Sequence, residues 1–87
     1  MSSATENTEA VILSRTIDPE RGDLSPAAAE SILQMKLKET DCKRVHELAT
    51  RAADGALSED EAQELERYRN VGRLLELMKS KARISLK

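Results

Sequence analysis

The chain has 87 residues and a net charge of −2, and its single aromatic residue is Tyr68. This length is that of one small domain, and a core without Trp or Phe is limited to Leu, Ile, Val, Met and Ala. Helix-forming residues dominate over β-branched ones, which predicts an all-α fold. The lone Cys42 excludes an internal disulfide. The longest apolar run near the N-terminus, Ala10–Leu13, is too short for a signal or a membrane span, so we expect a cytoplasmic protein without membrane contact.

The N-terminal part of the chain is predicted to be irregular or weakly structured. Residues 1–8 are polar and aperiodic and are expected to form a disordered tail, with one helical domain over residues 9–87. Residues 9–17 are predicted to form either a short helix beginning after Thr8 or an extended arm, and we favour the helix. The segment Asp18–Asp23 is a turn by its chemistry, since Pro19 fixes φ and Gly22 permits a positive φ.

Three helices are then predicted over about residues 26–37, 41–54 and 59–84. Ser25 is an N-cap with Pro26 at the first helical position, and Thr40 or Asp41 is the expected cap of the next helix. Gly55 is expected to end that helix in the left-handed conformation, and Ser58-Glu59-Asp60-Glu61 is a capping box. The short connection predicts an antiparallel hairpin. The fold is thus predicted to be a small three-helix bundle with an N-terminal arm or short fourth helix.

Helical periodicity assigns faces to the two hairpin helices. The inward stripe of the 41–54 helix is predicted to contain Cys42, Val45, Leu48, Ala49 and Ala52. In the last helix, the core stripe is centred on Val71 and contains Tyr68, Leu74, Leu75, Met78 and Ala82. Gly72 flanks this stripe and suggests a close backbone approach or a slight bend.

The C-terminal half of the last helix is apolar over a wider arc than a small bundle needs. Leu77 and Ile84 lie outside the core stripe, and Leu74 connects the two groups. Either the segment Val11–Leu13 covers these side chains, or they form a dimer or partner surface. We predict partner contacts through Leu74, Leu77, Met78 and Ile84.

Charge is segregated along the chain, because residues 67–87 contain seven Lys or Arg and one acid, whereas residues 1–66 contain seven bases and fifteen acids. Arg73, Lys81 and Arg83 are predicted to form a basic rim around the apolar residues. The same end of the helix, through Lys79, Lys81 and Arg83, would suit weak, sequence-independent nucleic-acid binding. Much of this charge is also explained by solvation and by the helix dipole.

Other residue patterns give no chemistry of their own. Cys42 and His46 are spaced like half of a metal site, but no second Cys or His exists and a buried structural thiol is expected. Arg21-Gly22-Asp23 matches the adhesion tripeptide, but in a sequence with no secretory signal we favour the interpretation that it is a charged turn. We therefore predict no catalytic residue, no cofactor, no metal and no small-molecule substrate.

Several short motifs resemble a group of short, uncharacterised bacterial all-α proteins. They are His46-Glu47-Leu48, Gly55-Ala56-Leu57-Ser58 with Glu61, Glu64-Leu65, Tyr68, Val71-Gly72, Leu74-Leu75, Lys81-Ala82-Arg83 and Ile17–Pro26. The resemblance covers about residues 11–87 and carries no activity or site residue over to this chain. Members of the group are often encoded beside HNH-type nuclease genes, which implies an antitoxin, immunity or adaptor role.

These observations together predict a non-enzymatic protein that binds another protein or itself, with a homo-oligomer expected because a core without large aromatics is marginal in a monomer. Regulation of a neighbouring nuclease is the specific role that the resemblance implies. The alternatives are the nucleic-acid binder described above and a structural subunit of a larger assembly.

Overall fold

The computed structural model describes residues 7–87, and over this range the chain is helical without β-strands. Its helices are α1 (Glu9–Ile17), α2 (Pro26–Leu33), α3 (Glu39–Ala53) and α4 (Glu59–Ser85). The all-α prediction is confirmed, and residues 9–17 form the short helix rather than an extended arm. Residues 1–6 of the predicted tail lie outside the described residues. No helix between residues 7 and 87 combines the length and apolarity needed to cross a membrane.

Side-chain caps begin three of the helices, α1, α2 and α4, and each of these helices starts where the sequence predicts it. The Thr8 hydroxyl accepts a hydrogen bond from the Val11 N–H (3.2 Å) at the start of α1. The Ser25 hydroxyl accepts one from Ala28 (3.2 Å), with Pro26 at the first helical position of α2. At the start of α4, Ser58 and Glu61 form the predicted reciprocal capping box. Each cap satisfies an N–H group that the helix itself leaves without a partner.

The capping box and the preceding helix end fix the connection between α3 and α4. Ser58 and Glu61 bond reciprocally, each side chain accepting from the other residue's N–H at 3.1 Å. Gly55 has φ = 67°, as predicted for the residue after the helix. The N–H of Gly55 bonds to Ala52 O (3.1 Å) and that of Ala56 to Arg51 O (2.8 Å), the paired bonds of a Schellman motif.

Two predicted helix boundaries are wrong. Helix α2 ends at Leu33 instead of Leu37, because its last turn tightens to bonds from Gln34 N–H to Ser31 O and from Met35 N–H to Ile32 O. Helix α3 begins after Lys38 instead of Thr40 or Asp41, and Lys38 makes no side-chain cap. Asp41 is the third residue of α3 and so lies inside the helix, where its carboxylate accepts a hydrogen bond from the Tyr68 hydroxyl at 2.7 Å.

The chain forms two compact units. The hairpin unit comprises Lys36–Gly72, and the terminal unit comprises the residues up to Met35 together with Arg73–Lys87. Helix α4 is continuous through both units. That residues 9–87 form a single domain stays a prediction.

In the hairpin unit, α3 and the first half of α4 run antiparallel. The contacts pair Asp41 with Tyr68, Arg44 with Glu64 (2.8 and 2.9 Å) and Arg51 with Glu61. The residue numbers thus rise along α3 while those of their partners fall along α4. This order confirms the predicted antiparallel hairpin.

Hydrogen bonds and ion pairs within the hairpin change the pKa values of three of its side chains. The Arg44 guanidinium lowers the pKa of Glu64 through its hydrogen bonds. The Ser58 N–H, followed by the Arg51 charge, lowers the pKa of Glu61. The Asp41 carboxylate raises the pKa of Tyr68, because it accepts the hydroxyl's hydrogen bond.

The inward face of α3 is rotated from the predicted stripe. Leu48 is fully buried and Val45 is half-buried, but Cys42, Ala49 and Ala52 are exposed. Arg44 shares the inner face, where it meets Glu64. Apolar periodicity missed this rotation because a polar side chain occupies part of the inner face. The prediction that Cys42 is a buried thiol is wrong.

Helix α4 departs from prediction near the end of the hairpin unit. Val71, the centre of the predicted core stripe, is 49% exposed. It lies one turn beyond Tyr68, whose partner Asp41 is in the first turn of α3, so only two residues of α3 precede that contact. A Cβ at Gly72 would meet no atom within 4 Å, which contradicts a close backbone approach there.

Candidate functional site

The C-terminal half of α4 lies in the terminal unit and contains every predicted partner-binding residue. All four predicted apolar contacts are half-buried, namely Leu74, Leu77, Met78 and Ile84. Each of these side chains is thus partly covered by other residues and partly in contact with solvent. What surrounds them in the terminal unit therefore decides which of them a partner could reach.

Large apolar side chains in the terminal unit remain incompletely covered. Among the described residues of this unit, the buried hydrophobic residues are two alanines, Ala29 and Ala82, whereas the hairpin unit buries Leu48 and Leu65. No Leu, Ile, Val or Met in residues 7–35 or 73–87 is buried. The apolar run on α1, Val11–Leu13, is between 37% and 44% exposed. The terminal unit thus retains apolar surface that water still contacts.

Met78 contributes to a shallow cavity of about 250 Å³ within the terminal unit. The other lining residues are Thr16, Ile17, Ile32 and Lys81. Three of the five are apolar. The cavity adds an apolar concavity to the surface of α4, beside the ammonium group of Lys81.

Lys81 makes intramolecular contacts instead of extending from a basic rim. Its side chain is only 12% exposed. Its Nζ lies 2.7 Å from Asp23 Oδ1 and donates to the carbonyls of Ile17 (2.7 Å) and Asp18 (3.3 Å). These two carbonyls end α1, where a cation is favoured by the helix dipole. The hydrogen bond from Lys81 lowers the pKa of Asp23, and the nearby charges of Lys81 and Arg21 act in the same direction.

Ile84 is covered by the turn that follows α1. A Cβ placed on Gly22 would lie 3.0 Å from Ile84 Cγ2 and 3.1 Å from Ile84 O. Close beside it, the Leu24 N–H donates to Ser85 Oγ at 3.2 Å, and that hydroxyl donates to Lys81 O at 2.8 Å. Residues 18–24, which we call the strap, therefore lie against the end of α4.

The strap also corrects two readings of the turn. Asp18, with φ = 52°, has the left-handed conformation predicted for Gly22, and Gly22 is needed instead for its lack of a side chain. Arg21 and Asp23 of the adhesion-like tripeptide pair with one another at 3.2 Å, and Asp23 also binds Lys81. These contacts give the tripeptide a structural role.

The other predicted rim residues, Arg73 and Arg83, are exposed, while Lys79 is half-buried. The functional candidates that sequence reasoning missed are Gly22, Asp23 and Ser85. Their partners lie about 60 residues away, as in the 61-residue separation of Leu24 and Ser85, so no local pattern could reveal them. The one signal in the sequence was electrostatic, because the acidic Asp23 could be expected to pair with a cation of the basic helix end.

Comparison of the chain with protein-family models, with curated proteins and with solved structures finds no match.

Proposed function

We propose that this chain is a non-enzymatic binding protein that contacts another protein, or a second copy of itself, through the C-terminal half of α4. The observation that carries the proposal is the burial pattern in residues 7–35 and 73–87 of the terminal unit, where Ala29 and Ala82 are buried and no Leu, Ile, Val or Met is. Covering such side chains releases about 25 cal/mol per Å² of apolar surface. A protein surface is the kind of partner that can cover several of them at once.

The proposed contact surface consists of apolar residues flanked by exposed cations. Leu74, Leu77 and Met78 are its most direct apolar contacts, and Ile84 joins them once the strap moves. Arg73 and Arg83 supply charge at the edge, where it contributes mainly to specificity and association rate. We also propose that the helices form the three-helix bundle predicted from the sequence.

The resemblance noted from sequence suggests which partner to test first. Members of the similar group are often encoded beside HNH-type nucleases, so a nuclease encoded next to this chain is the first candidate. In that case the chain would act as its regulator or antitoxin-like partner.

Nucleic-acid binding is the weaker alternative. It relied on Lys79, Lys81 and Arg83, and the ammonium of Lys81 is bound to Asp23 and two carbonyls. Loss of one cation in three reduces the phosphate contacts that such binding requires. Binding of a DNA duplex at low salt that is lost on replacing Lys79 and Arg83 would favour this alternative.

The proposal is tested with the double variant Leu77→Asp and Ile84→Asp. Light scattering over a concentration series reports self-association, and affinity capture from the native host reports other partners. Val71→Asp is the matched control, because it places the same charge at an exposed apolar residue of α4 in the hairpin unit. Circular dichroism confirms that each variant keeps its helices. The proposal fails if the double variant and the control behave alike in both assays.

A further inference from the structure

The strap covers one of the apolar residues that the proposed function requires. Gly22 lies against Ile84, so this side chain is only half-exposed although it points away from the predicted core stripe. A partner that uses Ile84 must first displace residues 18–24. The strap therefore competes, within the same chain, with a partner for contact with Ile84.

Polar contacts hold the strap to α4. The ion pair between Asp23 and Lys81 and the Leu24 N–H bond to Ser85 Oγ fix its C-terminal side. The Lys81 bonds to the Ile17 and Asp18 carbonyls fix its N-terminal side. The Asp23 side chain is 48% exposed, so water and ions reach the pair. Because water reaches the Asp23 carboxylate, the attraction within this pair is partly screened, although the Lys81 side chain is only 12% exposed.

The surface beneath the strap has a defined chemistry. It presents an apolar side chain, Ile84, next to the cation of Lys81 and the hydroxyl of Ser85. The strap fills it with a carboxylate, a backbone N–H and a residue that lacks a side chain. Because Gly22 contributes no apolar group, Ile84 loses water without gaining a large apolar neighbour from this residue.

We infer that the strap occupies part of the binding surface in the free protein, and that the partner displacing it is a protein segment with a carboxylate beside an apolar side chain. The partner's carboxylate takes the place of Asp23 on Lys81, and its apolar side chain covers Ile84. This inference rests on the proposed function. The apparent affinity of the partner is reduced by the fraction of molecules whose strap is open, so loosening the strap raises that affinity.

Two variants loosen the strap by different means. In Gly22→Ala, the new Cβ would meet the Ile84 carbonyl at 3.1 Å, and this backbone atom cannot rotate away. The φ of Gly22 is not positive, so alanine is compatible with the local backbone, and the strap and the end of α4 must move apart by a few tenths of an ångström to relieve this contact. Asp23→Asn removes the charge that Lys81 binds. Glu20→Ala, at an exposed strap residue that makes no hydrogen bond or ion pair to α4 among the described residues, is the control.

The first probe is 8-anilinonaphthalene-1-sulfonate, which combines an anion with aromatic rings. Gly22→Ala and Asp23→Asn are each expected to bind it at least about threefold more tightly than the unmodified chain, in proportion to the increased open fraction. Glu20→Ala is expected to bind it as the unmodified chain does. Adding Ile84→Ser to Gly22→Ala should abolish the gain. Adding Lys81→Gln to Gly22→Ala should weaken binding of this anion but not of the neutral dye Nile red.

Two outcomes overturn the inference. One is unchanged affinity in both loosened variants. The other is a gain that persists with Ile84→Ser, which would show a generally loosened core. Affinity capture separates this inference from the proposed function. If the unmodified chain captures a protein through Leu77 and Ile84 but Gly22→Ala captures no more of it, only the strap inference fails. If neither chain captures a protein, the proposed function and the strap inference both fail.

Discussion

Leu48 is the largest fully buried side chain of the described residues, and it lies on the face of α3 that meets α4. Removing three of its carbons leaves a cavity as well as losing apolar burial, so Leu48→Ala is expected to destabilise the protein by about 3 kcal/mol. Urea unfolding followed by circular dichroism measures this loss. Val71→Ala, at an exposed position, is the control and should cost under about 0.5 kcal/mol. Equal effects of the two substitutions would contradict the assigned core.

Gly72 stands in the interior of α4, where glycine costs about 1 kcal/mol relative to alanine. A Cβ at this position would meet open space, and the backbone is helical. Gly72→Ala is therefore expected to stabilise the protein by about 0.5 to 1 kcal/mol, measured by the same unfolding assay. A loss of stability would show that the helix needs the glycine for a bend that open space does not reveal.

Single residues could be predicted where their signal is local. The Ser25 cap, the Ser58–Glu61 capping box and the left-handed Gly55 depend on neighbours within three residues, and all three are present. Cys42 and Val71 were misplaced because their burial depends on which residues of another segment lie opposite them. Periodicity gives the width of an apolar face but does not show how far the partner helix extends along it.

At the scale of the element, the α3–α4 hairpin depends on ion pairs as well as on Leu48 and Leu65. The pKa values of Glu64 and Glu61 are lowered in the folded state, by hydrogen bonds from Arg44 and from the Ser58 N–H respectively. A carboxyl whose pKa is lowered on folding stabilises the fold above its ordinary pKa, and this contribution is lost as the pH falls through the folded value.

Stability is therefore expected to decrease as the pH falls below about 4.5, the ordinary value for these side chains. Glu64→Gln should reduce stability near neutral pH and make its decline with acid shallower, because one of the titrating groups is gone. Urea unfolding between pH 7 and pH 3 measures both slopes. Glu59→Gln, an exposed first-turn residue, is the control. Parallel profiles for Glu64→Gln and the unmodified chain would contradict this role of Arg44 and Glu64.

Helix starts were easier to predict than helix ends or helix faces. The starts of α1, α2 and α4 have side-chain caps, whereas α3 has none and its predicted start was wrong. An end can be predicted when a glycine marks it, as Gly55 does for α3. Helix α2 ends without one, so its apolar pattern extended the prediction to Leu37. The inner face of α3 includes Arg44, which apolar periodicity assigns to solvent although Glu64 makes its burial favourable.

At the scale of the whole molecule, composition predicted the all-α class, but contacts between distant segments were not predictable. Lys81 was assigned to the rim because a lysine on an apolar helix usually reaches solvent. Its carbonyl partner Ile17 is 64 residues away, and nothing near Lys81 indicates that contact. The same contact changes the predicted surface, since it helps to hold the strap against Ile84.

The central claim is that the C-terminal half of α4 binds a protein, and affinity capture with a tagged chain in its native host tests it most directly. Endogenous untagged copies report self-association in the same experiment. We expect a captured protein, either this chain or another, to be lost in the variant with Leu77→Asp and Ile84→Asp. It should be retained by Val71→Asp and reduced by Arg83→Glu, which leaves the apolar contacts intact. An identical set of captured proteins from all four chains would contradict the claim.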